Sequence, residues 1–174
     1  MRNLKHVLAT TLGAGLTLAC VHTNSDASSD DAVEKLIQKS QDSNAALMRG
    51  DIDQYTSLLS LAPDFTLFSP FGGDPTRGAL TGDALQRMGR FFKNGTHEQE
   101  LVHAYGSSDM VVLALIERSR VEVGGLPRQE WALRVTLVYR RDGSAWRLVH
   151  RHADPLVDGV SLPYAAMLAR GERS

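Results

Sequence analysis

The chain has 174 residues, enough for one ordinary domain with a short extension. Hydrophobic residues make up 43% and charged residues 22%, proportions that argue against both a disordered chain and a membrane-embedded body. The net charge is −1, and it becomes −3 if residues 1–20 are removed, because Arg2 and Lys5 leave and no acid does. A mildly acidic domain is poorly suited to nucleic acid.

The first residues have the three parts of a secretory signal: Arg2 and Lys5, an apolar run over residues 7–18, and small residues near Ala19. The run is too short to span a bilayer well, so residues 1–20 are expected to be removed. Cys20 is the only cysteine, and it follows Leu18 and Ala19 where a lipoprotein signal places the residue to be acylated. Thr17 stands where that signal usually has Leu, so simple cleavage after Ala19 is the alternative. Either way the protein is expected to be exported, to the periplasm or cell envelope, with a lipid on Cys20 as its one link to a membrane. No internal disulfide is available to the rest of the chain.

Residues 21–31 are mostly Ser, Asp, Asn and Thr and read as a flexible tether. A domain over residues 32–165 follows, then a tail over 166–174. Val33, Leu36, Ile37, Leu47 and Met48 recur at helical spacing up to Gly50. Asp51 can cap a short second helix carrying Ile52, Tyr55, Leu58 and Leu59, which ends before Pro63. Residues 65–68 form a short strand, and the Pro- and Gly-rich residues 70–78 form a loop. A third helix is expected from a cap at Thr81 to a stop at Gly95, with Ala84, Leu85, Met88, Phe91 and Phe92 as its apolar stripe.

Four strands are expected over residues 98–105, 109–123, 128–140 and 145–153, separated by turn signals at Ser107-Ser108, Gly124-Gly125 and Asp142-Gly143. Helices first and an antiparallel meander afterwards define an α+β fold. The second of these strands is apolar on both faces, so one face needs the helices and the other a further cover, for which a second subunit is suited.

That order of elements resembles the cone-shaped nuclear-transport-factor-2-like (cystatin-like) fold: three N-terminal helices on a curved antiparallel sheet. The segments Gly124-Gly125-Leu126-Pro127-Arg128, Tyr139-Arg140-Arg141-Asp142-Gly143, Trp146, Val149-His150 and His152 are similar to the association domain of calcium/calmodulin-dependent kinases and to SnoaL-like and ketosteroid-isomerase-like proteins. Such folds host isomerases, hydrolases, cyclases and non-catalytic modules, so function has to come from the pocket.

In the strand over 128–140, one face carries Trp131, Leu133, Val135, Leu137 and Tyr139, and the other carries Glu130, Ala132, Arg134, Thr136 and Val138. Pattern alone makes the first the core face. The resemblance implies the opposite: Arg134 and Thr136 line the cavity and the large apolar face is the dimer surface. The same register puts Val149 and Arg151 inward on the last strand, with Trp146, Leu148, His150 and His152 facing away. Two inward arginines suit a carboxylate; the alternative is that they are solvated or paired with Glu117 and Glu130.

His150, His152 and Asp154 form a polar cluster whose spacing is weak for a metal, so no metal and no cofactor are expected. For proton-transfer chemistry Tyr55 and Asp64 are candidates near the cavity mouth, with packing as the other role for Tyr55. The leading expectation is a SnoaL-like domain of unassigned activity that binds a small molecule through Arg134, Thr136, Arg151 and Tyr55, a carboxylate being one candidate chemistry. A cofactor-independent isomerase, cyclase or hydrolase in the same cavity and a pure oligomerisation module stand beside it. The expected protein partner is a second copy, docked through the sheet.

Overall fold

In the computed structural model residues 25–171 are described, with side-chain surroundings from residue 30 onward. The signal segment, Cys20 and the first part of the tether lie outside the described residues. Helix α1 (Ser25–Arg49) lies across the sheet, and α2 (Ile52–Leu58) folds back beside it. Gly50 makes this reversal at φ +82°, a backbone state that disfavours any other residue. The Asp51 side chain then accepts a hydrogen bond from the Gln54 amide at 3.0 Å and starts α2. Helix α1 begins at Ser25, so the expected tether is helical from there, although Asp30 and Asp31 are exposed and the first buried side chain is Leu36.

Strand β1 (Leu61–Phe68) and the two-residue β2 (Thr76–Arg77) precede α3 (Gly82–Phe91). The meander follows: β3 (Phe92–Gly106), β4 (Met110–Val123), β5 (Gln129–Asp142) and β6 (Ala145–Pro155). A last helix, α4 (Leu162–Ala169), spans the expected boundary between domain and tail and buries no residue. The sheet order is β2-β1-β6-β5-β4-β3, antiparallel except for β1 with β6, which run parallel. The fold is therefore α+β and cystatin-like as expected, with a mixed six-stranded sheet.

Gly95 does not stop α3, which already ends at Phe91 and passes directly into β3. Its lack of a side chain serves a close approach instead. A Cβ there would lie 2.6 Å from the Met48 carbonyl oxygen and 2.8 Å from Val121 Cγ2, so only glycine lets the end of α1 sit this close to the sheet.

The inward face of β4 reads Val111, Leu113, Leu115, Glu117, Ser119, Val121, Val123, and all seven are buried. Val111, Leu113 and Leu115 join Leu36, Phe65, Leu133, Val135, Leu137, Tyr139 and Leu148 in one apolar cluster. Val121 and Val123 join Ala46, Leu47, Met48 and Tyr55 in a second. Glu117 and Ser119 sit between the two, where the core opens into a cavity.

The register of β5 corrects the expected pocket. Leu133, Val135, Leu137 and Tyr139 are buried beneath the helices, whereas Arg134 is exposed and Thr136 faces outward with it. Bulk decides the face: four large apolar side chains gain far more from leaving water than an arginine and a threonine do. On β6 the extra residue Val149 forms a bulge, since Val138 pairs with His150 while the next residue, Tyr139, pairs with Leu148. Leu148 and Arg151 thus both point inward, and Trp146 also packs on the core, contrary to a plain alternation through residue 151.

Candidate functional site

A cavity of about 340 Å³ lies between α1, α2, α3 and the inner face of β4, β5 and β6. Its wall is mostly apolar, with Leu47, Met48, Phe65, Leu67, Met88, Leu133 and Leu148 along the sides and Phe71, Phe91, Phe92 and Trp131 around the opening. Polar groups gather at its inner end: Asn44 from α1, Tyr55 from α2, Glu117 and Ser119 from β4, and Arg151 from β6.

Arg151 holds Glu117 through two parallel hydrogen bonds, Nη1 to Oε1 at 2.8 Å and Nη2 to Oε2 at 2.7 Å. The Asn44 Nδ2 group adds a third donor to Oε1 at 3.0 Å. Burial by itself would raise the Glu117 pKa, but the Arg151 charge and its hydrogen bonds outweigh that and hold it below the usual carboxylate range. Arg151 is correspondingly raised: burial pulls it down, and the attraction of Glu117 prevails. The cavity end thus contains an ion pair with no net charge.

Beside it the ring Nδ1 of His97, from β3, shares a hydrogen bond of 3.0 Å with Ser119 Oγ. The other ring nitrogen, Nε2, is buried without a partner. Burial is the main reason that His97 is shifted below its ordinary value, so the imidazole is neutral at pH 7.

Tyr55 is 8% exposed, and burial pushes its phenol pKa up to about 12. It lines the same cavity as Arg151 and Glu117, whose charges also act on its phenol. Among the described residues that hydroxyl has no hydrogen-bond partner, yet it is not among the sealed, unsatisfied atoms. A phenol neither bonded nor sealed opens on the cavity and is available to a guest as a donor.

Of the four residues expected to bind a ligand, the structure brings Tyr55 and Arg151 together and leaves Arg134 and Thr136 on the opposite face. Arg134 Nε donates to Asp154 Oδ1 at 2.6 Å there, and Thr136 lies next to His152. His150 Nδ1 shares a 2.7 Å hydrogen bond with Thr66 Oγ1, and the Phe68 ring sits edge-on to both histidines, at 5.1 and 5.3 Å between centroids. His150, His152 and Asp154 therefore do lie on one face. They do not build a metal centre: among the described residues no three His, Cys, Asp or Glu side chains come close enough to hold an ion. Asp64 is taken up by a two-bond pairing with Arg140 at 2.9 and 3.0 Å on the surface, and that pairing holds its carboxyl low.

Asn44, Ser119 and His97 were not expected at the ligand cavity, and Glu117 was expected as a partner for an arginine. One signal for Glu117 and Ser119 is present in the sequence. They interrupt an otherwise apolar alternation along β4, and a charge on a buried face needs a local purpose.

Helices over a curved sheet with a cavity between them place the protein in the nuclear-transport-factor-2-like, cystatin-like class of folds, which includes ligand-binding and isomerase-like domains. The profile of the SnoaL-like domain matches residues 33–158, and the chain belongs to that family. A suspected dehydratase of the NTF2-like family from Streptomyces avermitilis is similar at 21% identity and a TM-score of 0.59, covering 74% of this chain and 99% of its own. The hub homology domain of calcium/calmodulin-dependent kinase II from Chlamydomonas reinhardtii has 17% identity and a TM-score of 0.55 over 72% of this chain and 99% of its own. A protein of cystatin-like fold from Caulobacter vibrioides reaches 19% and 0.56 over 82% and 99%. At these identities the likeness is one of fold. No curated protein matches the chain in sequence.

Proposed function

We propose that this domain binds a small, largely apolar, uncharged molecule in the cone cavity, with a carbonyl or similar acceptor turned toward Tyr55 and Arg151. The observation that carries this reading is the neutral Glu117–Arg151 pair at the closed end of an apolar cavity, beside an unpartnered phenol. Because Glu117 already compensates Arg151, a carboxylate brought to this end would lose its water without gaining a free cation. This turns the expected carboxylate into the less favoured guest. Arg87, exposed at the opening and without a hydrogen-bond or ion-pair partner among the described residues, is the cation of this cavity's lining left for a carboxylate bound the other way round.

The test is a thermal-shift comparison of a bicyclic ketone with the carboxylic acid of the same skeleton, since a guest that binds the folded state raises Tm by mass action. The ketone is expected to shift Tm more, and Tyr55→Phe to weaken it roughly three- to tenfold, the share of one hydrogen bond. A larger shift with the acid that disappears in Arg87→Ala would reject the proposed orientation.

A pairing through the outer sheet face is part of the same proposal. Val112, Ala114, Ile116, Thr136 and Val138 are only half-buried there, and Phe68, Val102 and Tyr105 are exposed beside them. Two of the fold's relatives are described as association domains, which supports self-association. The dimer surface is then this face of moderate-sized side chains, not the large apolar face of β5, which is core. Sedimentation of wild type and Ile116→Lys should show a dimer that the variant turns into monomer; a monomeric wild type rejects it. Export, with acylation of Cys20, rests on the N-terminal pattern alone, and intact-mass measurement of the protein from its own membrane fraction tests it.

A further inference from the structure

The cavity opening is formed by aromatic rings that the rest of the fold holds unequally. Phe91 is fixed: its carbonyl accepts the Gly124 amide at 2.8 Å, and its ring lies on Gly124 so closely that a Cβ there would come within 2.8 Å of Cε2. Trp131 is likewise fixed on β5, packed against both apolar clusters. Phe71 is different. It rides on the loop between β1 and β2, whose bonds at this point are internal, Phe71 N to Ser69 Oγ at 3.2 Å and Gly72 N to Ser69 O at 3.0 Å. The next two residues, Gly72 and Gly73, have φ +72° and +83° and open space where a Cβ would stand.

The Phe71 ring nonetheless leans on the fixed pair. Its centroid is 5.5 Å from that of Trp131 with the planes 34° apart, and 5.4 Å from that of Phe91, edge-on. Its side chain is still 53% exposed, so much of its apolar surface is uncovered. An exposed aromatic ring on an unbraced loop, resting over the entrance, is free to move outward at little cost in packing.

The geometry points to Phe71 as an aromatic gate that selects flat, unsaturated rings over saturated ones of the same skeleton; this rests on the cavity-binding reading above. Two stacked ring spacings need roughly 7 Å between outer planes, twice an ordinary carbon contact of about 3.5 Å. Moving Phe71 outward by a small step lets a flat ring lie between it and Trp131 and replace the contact they lose. A saturated ring is thicker and offers no π-face, so it holds the gate open without restoring the stack.

The experiment is calorimetric titration of acetylnaphthalene and its fully saturated counterpart acetyldecalin into wild-type protein, Phe71→Leu and Phe71→Ala. Phe71 is exposed on a loop, so neither variant threatens the fold, and Leu keeps an apolar cover while removing the ring. The flat ketone is expected to bind wild type roughly three- to tenfold better than the saturated one, the worth of one aromatic pair. In both variants that ratio should fall to near one, with acetyldecalin affinity kept. A ratio unchanged in both variants, or absent from wild type while both ketones bind, overturns the gate and leaves the cavity reading standing. If neither ketone binds wild-type protein, the cavity reading fails and the gate with it.

Discussion

Arg151 and Glu117 depend on each other in a way that single substitutions expose. Glu117 is only 3% exposed, so removing Arg151 leaves a buried carboxylate without its cation, and breaking such a buried pair typically costs about 3–5 kcal/mol. Arg151→Met should therefore destabilise the fold strongly in a denaturant titration, whereas Glu117→Leu combined with Arg151→Met should recover most of the loss. His97 gives the pH counterpart. Its folded-state pKa lies below the ordinary value of 6.5, so the unfolded chain takes up this proton first as pH falls. Stability is complete above that value and declines as pH drops below it. Unfolding measured between pH 7.5 and 5 should show a decline that is shallower in His97→Gln, with the remainder shared by His150, which is shifted the same way. Tyr55 was legible from the sequence because helical spacing places it on an inward face, whereas Arg151 was expected inward through the resemblance, in a register that the bulge at Val149 replaces. His97 was not, because one histidine among polar neighbours on an edge strand carries no such pattern.

At the scale of elements, the two strands that carry the expected pocket teach opposite lessons. On β5 the alternation of large apolar residues with Arg134 and Thr136 identified the buried face directly, and the resemblance to association domains misdirected it. Arg134→Ala should accordingly leave ketone binding unchanged and alter stability by no more than about 0.5 kcal/mol, as an exposed ion pair does. On β6 a bulge at Val149 shifts the phase in mid-strand, which no period-two reading anticipates; it delivers both Leu148 and Arg151 to the inside. Gly95 illustrates the limit of glycine as a punctuation mark. Its place near the end of an apolar helical stripe suggested a stop, while its actual role depends on α1, far away in sequence. Gly95→Ala should cost roughly 1–3 kcal/mol, because a methyl group there overlaps the Met48 carbonyl.

For the whole molecule, element order alone was enough to define the fold, since two helices, a strand, a helix and a long meander can close over a sheet in few ways. The parallel pairing of β1 with β6 joins residues far apart in the chain, and local pattern does not register it. The result is a sheet with a large-residue inner face around a cavity and a moderate-residue outer face with Arg134, His150, His152 and Asp154. On the proposed reading the two faces would serve separate purposes, a guest on one side and a second copy on the other. The most direct measurement of the first is calorimetric titration of a bicyclic ketone into wild-type protein and into Leu133→Trp, whose indole fills the cavity from β5. Saturable binding to wild type that is lost in Leu133→Trp is the predicted result; no binding to wild type, or equal binding to both, would contradict it.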